Sequence, residues 1–191
     1  MSPARTPAQE TAEDIFFGQI VIIWARWFFI AAGAVLALWS AHTVAELTIA
    51  ILIVVALMAI NFFVHGRYLM ERPANRLFLL ATGLLDLSII TLLVWNWQGQ
   101  GGLESPFFIL YYPILFSFAL VFPPRLTTAY ALLMLGLYVG VCFGANPAFI
   151  YDLGLVTSLV TKLITLAAMG GLGTFYWRIQ RNQRRAVLGR A

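Results

Sequence analysis

A polytopic, all-α bundle of six transmembrane helices is the fold class that the sequence predicts, and three observations predict it. Apolar runs of about 20 residues, the length needed to cross a bilayer, recur from residue 20 to residue 177. The 191-residue chain is 61% hydrophobic and only 10% charged, against roughly 25% charged in a soluble domain; its mean hydropathy is +0.86. The basic residues are also distributed unevenly between alternate connections, as multi-pass membrane proteins require.

The elements follow in order. Residues 1–19 form a polar segment with Glu10, Glu13 and Asp14. It lacks the basic start, short apolar core and small-residue cleavage site of a signal peptide, so the first apolar run is expected to stay as an anchor. The six spans run over 20–40, 45–64, 77–97, 107–122, 126–145 and 153–177. Residues 47–63 of the second contain no charge. The fourth is the shortest and carries Pro113 after Tyr111-Tyr112, where the missing backbone donor is expected to kink the helix. Pro123-Pro124 ends it. The sixth meets no helix breaker before Gly189, so the basic stretch 178–191 is expected to project as a helical extension. This divides the chain into an N-terminal cytoplasmic segment (1–19), a membrane domain (20–177) and a cytoplasmic extension (178–191).

Ten of the twelve cations lie before span one (Arg5), between spans two and three (Arg67, Arg72, Arg76), between four and five (Arg125) and after six (Arg178, Arg181, Arg184, Arg185, Arg190). The three intervening connections, around His42, Gly101 and Asn146, hold none. The positive-inside rule then puts both termini in the cytoplasm and the Gly101 connection outside. It also assigns the net charge of +4 to topology and the lipid bilayer's anionic headgroups, leaving no reason to invoke nucleic acid.

Three charges fall within the apolar runs. Asp86 and Lys162 each lie about nine residues into their spans, a depth at which a charge costs on the order of 2.5–3.5 kcal/mol. Either they pair with each other, or waters, hydroxyls and snorkelling satisfy them separately, or they serve a proton- or ligand-linked role. Arg26, between Trp24 and Trp27, is expected to snorkel to headgroups within an aromatic belt. Gly136, Gly140 and Gly144 make a small-xxx-small series, and residues 167–173 are similarly rich in small side chains; such faces pack helices within a bundle or across a dimer. His42 and His65 fall on opposite membrane faces, and Cys142 is the single cysteine. Neither haem nor a metal centre is therefore expected. Hydrolase, P-loop and dinucleotide motifs are absent, so the chain carries no catalytic signature of its own.

The stretch richest in potential chemistry is Gly101-Gly102-Leu103-Glu104-Ser105-Pro106-Phe107, preceded by Trp95-Asn96-Trp97-Gln98-Gly99-Gln100. Two glycines permit backbone conformations closed to other residues, and Ser105-Pro106 sets the turn back into the membrane. Trp95, Trp97, Phe107 and Phe108 offer flat apolar surfaces at headgroup depth, with Gln98, Gln100 and Glu104 as polar contacts. A quinone headgroup fits that inventory; so does a plain outer hairpin with an aromatic belt.

The same seven residues resemble the G-G-x-x-N-P-F box of RegB/PrrB-type redox-sensing histidine kinases, which lies outside between the third and fourth of six transmembrane helices. Gly101, Gly102, Pro106 and Phe107 match, and Ser105 stands where the box has asparagine. The resemblance implies a bacterial inner-membrane input domain that senses quinone and controls a cytoplasmic kinase. Its ligand-binding set would be Trp97, Gly101, Gly102, Glu104, Ser105, Pro106 and Phe107. The phosphorylated-histidine helix, the ATP-binding domain and the cytoplasmic cysteine of that family are not in this chain. The resemblance thus implies an output domain in cis or in trans, and a homodimer. Two other classes fit the bundle: an assembly subunit that docks a partner on the Gly136 face, and a small transporter lined by Asp86 and Lys162. The lack of an internal repeat speaks against the transporter.

Overall fold

A computed structural model of the chain describes the backbone of residues 7–70, 76–95, 97 and 101–188, and side chains from residue 18 to 179 within those stretches, residue 76 excepted. The described residues form six α-helices and three short 3₁₀ turns: α1 Pro7–Ser40, α2 Val44–Leu69, α3 Arg76–Trp95, α4 Tyr111–Val121, α5 Pro124–Ala145 and α6 Leu153–Leu188. Five of these are long and apolar enough to cross a membrane, and α4 with the turn before it, Pro106–Val121, is a shorter apolar helix. The protein is an all-α, multi-pass membrane bundle.

Local chemistry sets the helix starts. Thr43 caps α2: its Oγ1 accepts from the Glu46 N–H at 3.3 Å, while Glu46 Oε2 accepts from the Thr43 N–H at 3.1 Å. This reciprocal capping box satisfies two of the donors left open at a helix start. Asp152 does the same for α6, accepting from the Gly154 and Leu155 N–H groups at 2.8 and 3.2 Å. Pro124 occupies the first turn of α5, where its missing N–H costs nothing.

Pro113 behaves differently from expectation. The 3₁₀ turn Pro106–Leu110 leads into α4 at Tyr111, so Pro113 sits in the first turn of that helix. No intrahelical bond is lost there, and the change of helix type precedes the proline.

The shortest span is the centre of the bundle. Tyr111, Ile114, Leu115, Ser117, Phe118 and Ala119 of α4 are all buried, and α4 packs against α1, α3, α5 and α6. A helix enclosed by protein need not meet the length that lipid imposes. Close approach to α6 is allowed by Gly170 and Gly173, whose missing Cβ atoms would meet Leu115 and Ala119 of α4. Phe118 stacks on Tyr130 with ring centroids 3.9 Å apart, and the Tyr130 hydroxyl donates to the Gly83 carbonyl at 2.9 Å, tying α3, α4 and α5 together. At the periphery, α2 packs chiefly on α1. Two amides hold that pair: Gln19 Nε2 donates to the Val64 carbonyl at 3.3 Å and Asn61 Nδ2 to the Ile23 carbonyl at 3.5 Å. Buried Gln19 lies within the bundle, just before the expected start of span one.

Candidate functional site

Between α3 and α4, residues 101–110 fold inward and plug the end of the bundle. Gly102 has φ +63°, a left-handed conformation that an L side chain adopts only at a cost. A Cβ there would also stand 3.2 Å from the Ala145 Cβ and 3.2 Å from the Cys142 Cα. Glycine is required at 102 by both backbone angle and space, and the loop is thereby pressed against the end of α5.

The next residues point into the bundle. Phe107 and Phe108 are buried, and the Phe107 ring meets the Trp97 ring edge-on at 5.5 Å. Trp97 is itself buried and its Nε1–H donates to the Ser40 hydroxyl at 2.9 Å, closing the loop onto the end of α1. Ser105 is buried with its hydroxyl unpaired among the described residues, Pro106 is half-buried, and Glu104 points outward. Of the four aromatics expected as flat surfaces at headgroup depth, only Trp95 is exposed. The reason is packing: the short α4 leaves space above it that the loop rings fill. Gln98 and Gln100 lie outside the described residues.

Trp97 and Phe107 line a narrow apolar cleft with Phe29, Gly33, Leu57 and Leu110, among others. It leaves ≈ 20 Å³ for the centre of a water-sized sphere, room for roughly one water. An aromatic ring enters only if lining side chains move.

The intramembrane charges take partners other than those expected. Asp86 Oδ1 accepts from Arg26 Nη2 at 2.9 Å, with the two side chains 4% and 2% exposed. Arg26 therefore does not snorkel, and Asp86 does not pair with Lys162. The physical cause is helix order. Arg26 is eight residues beyond Gly18 and Asp86 nine beyond Leu77, so spans entering from one side bring them to similar depth, about 12–14 Å along their axes. Helices α3 and α6 are kept apart by α4 and α5, each of which contacts both. Lys162 instead donates to the Leu103 carbonyl at 2.6 Å and lies over the Phe108 ring, 5.0 Å from its centroid. That ammonium thus joins the loop to α6. Nearby, the Tyr112 and Thr165 hydroxyls bond at 2.7 Å and tie α4 itself to α6.

Of the three glycines expected to pack helices, only Gly144 has a neighbour among the described residues, the Trp95 ring; Gly136 and Gly140 meet none of them. Helix α5 turns its other face inward, through Tyr130, Met134, Tyr138 and Cys142.

Sequence reasoning missed Arg26 as a bundle residue. Its register was the available signal: Ile22, Phe29, Ile30 and Ala37, all buried, share its helical stripe at spacings of three, four and seven. The structure thus gathers Trp97, Gly102, Ser105 and Phe107 with Lys162 at one end of the bundle, and leaves Asp86 in a separate centre with Arg26. Compared with family models, curated proteins and solved structures, the chain matches none.

Proposed function

We propose that this chain is a signal-input domain of the sensor-kinase type, in which the Gly101–Phe107 loop takes a quinone-like ring and α6 carries the response toward the cytoplasm. The observation that carries the reading is the bond from Lys162 Nζ to the Leu103 carbonyl. It links the loop directly to the helix that runs on to Leu188. Here a ring inserting at the cleft displaces Phe107 or Trp97. Either motion pulls on residues 102–107 and so on Lys162. Ligand binding then favours whichever α6 position suits the moved loop, and a ligand shifts such an equilibrium only by its differential affinity for the two states. In this reading both termini lie in the cytoplasm of a bacterial inner membrane, and a kinase or other output domain, in cis or in trans, receives the motion.

The open face at Gly136 and Gly140 supports helix pairing there. For a sensor the partner is a second copy of the chain. An unlike partner on the same face favours the assembly-subunit reading instead.

Quinone titration of the purified chain in nanodiscs, followed by tryptophan fluorescence, tests the ligand. A saturable change whose midpoint moves at least tenfold in Phe107→Ala, where the ring that fills the site is gone, and shifts in Glu104→Ala is expected. No saturable change, or one indifferent to both substitutions, removes quinone from the account.

A further inference from the structure

The centre formed by Arg26 and Asp86 has features that an ion pair alone does not use. Arg26 is 2% exposed and spends one donor on Asp86. Its Nε and Nη1 atoms are buried and find no acceptor among the described residues. A buried donor without an acceptor is costly, and more so on a charged group. Beside the guanidinium is a small cavity with ≈ 20 Å³ for water-sized centres, walled by Ala25, Gly83, Asp86, Ser117 and Phe118 among others.

The chemistry of those walls limits the occupant. An anion would sit against the Asp86 carboxylate, and a cation against Arg26, each adding a net charge to a dry interior. An apolar group would leave the guanidinium donors open. What remains is a neutral oxygen acceptor, and the volume admits about one water. Such a water needs two to four polar partners, and the wall supplies them. Besides Arg26, the lining residues Asp86, Gly83 and Ser117 carry acceptor oxygens: the Asp86 carboxylate, the Gly83 carbonyl, which already takes the Tyr130 hydroxyl proton, and the Ser117 hydroxyl, whose own proton goes to the Ile114 carbonyl at 2.9 Å.

We infer that this cavity is a binding site for a single internal water, which completes the Arg26 donors and links α1 and α3 to Ser117 on α4. The water makes the Arg26–Asp86 centre a three-helix junction. This inference is independent of what the outer loop binds.

Infrared spectra of hydrated films of the reconstituted full chain, recorded before and after exchange into heavy-oxygen water, test it. A bound-water O–H stretching band that shifts on exchange is expected in the wild type. It should be lost in Ala25→Val, which fills the cavity and keeps the pair, and in the Arg26→Met/Asp86→Leu double variant, which removes the partners. Circular dichroism confirms that both variants keep their helices. No such band in the wild type, or a band that survives in both folded variants, would overturn the site.

Discussion

Arg26 and Lys162 are both cations at membrane depth, and the bundle treats them in opposite ways. Arg26 is enclosed on all sides and meets a carboxylate at 2.9 Å. Lys162 is half-buried and meets a neutral backbone carbonyl at 2.6 Å, with an aromatic face beneath it. A planar guanidinium offers five fixed donors and suits a permanent partner; a compact ammonium on a flexible stem can trade one oxygen for another. The Arg26 centre therefore has the properties of an anchor between α1 and α3. The Lys162 contact has those of a latch between the loop and α6. Removing a permanent partner should cost much more than removing an exchangeable one.

The largest expected effect lies at the anchor. Asp86→Leu alone strands a buried guanidinium and should destabilise the bundle by about 3–5 kcal/mol. Adding Arg26→Met should return most of that loss, because a dry apolar pair carries no desolvation penalty. Reversible unfolding in mixed micelles measures the cycle. Additive losses in the double variant would mean that the two side chains do not act as a pair. A smaller effect is expected where the loop is pinned. Gly102→Ala forces a Cβ into the left-handed region and against α5, at a cost of about 1–2 kcal/mol. It should also speed proteolysis at the loop. An unchanged stability would show that the loop is not seated on Ala145 and Cys142, and would leave the latch without a fixed partner.

Much of this architecture was legible in the sequence. Hydrocarbon demands long unbroken apolar runs, so the six spans read from residues 20–177 fall close to the six helices observed. The span at 153–177 continues to Leu188, as the lack of a breaker before Gly189 implies. The candidate site was legible in position and not in orientation. Hydropathy reports depth along a helix but not the direction a side chain faces. Depth alone therefore makes Arg26 a headgroup anchor, offers Lys162 as a partner for Asp86, and puts Phe107 and Trp97 on the surface. Gly136 and Gly140 meet no neighbour among the described residues for the same reason: a small-xxx-small series marks a face without naming its neighbour. The Thr43-Val44-Ala45-Glu46 capping box that starts α2 is a local signal that span-level hydropathy passes over.

The central claim is that loop occupancy reaches α6 through Lys162. Its most direct test places an environment-sensitive fluorophore at Tyr176→Cys, an exposed position on α6, in a Cys142→Ala background. Quinone is titrated while both the fluorophore and the tryptophans are read. The account predicts a saturable fluorophore change in the otherwise wild-type chain. In Lys162→Met that change should be lost while the tryptophan response to binding persists, with stability lowered by only about 1 kcal/mol. A fluorophore response of equal size in Lys162→Met would contradict it.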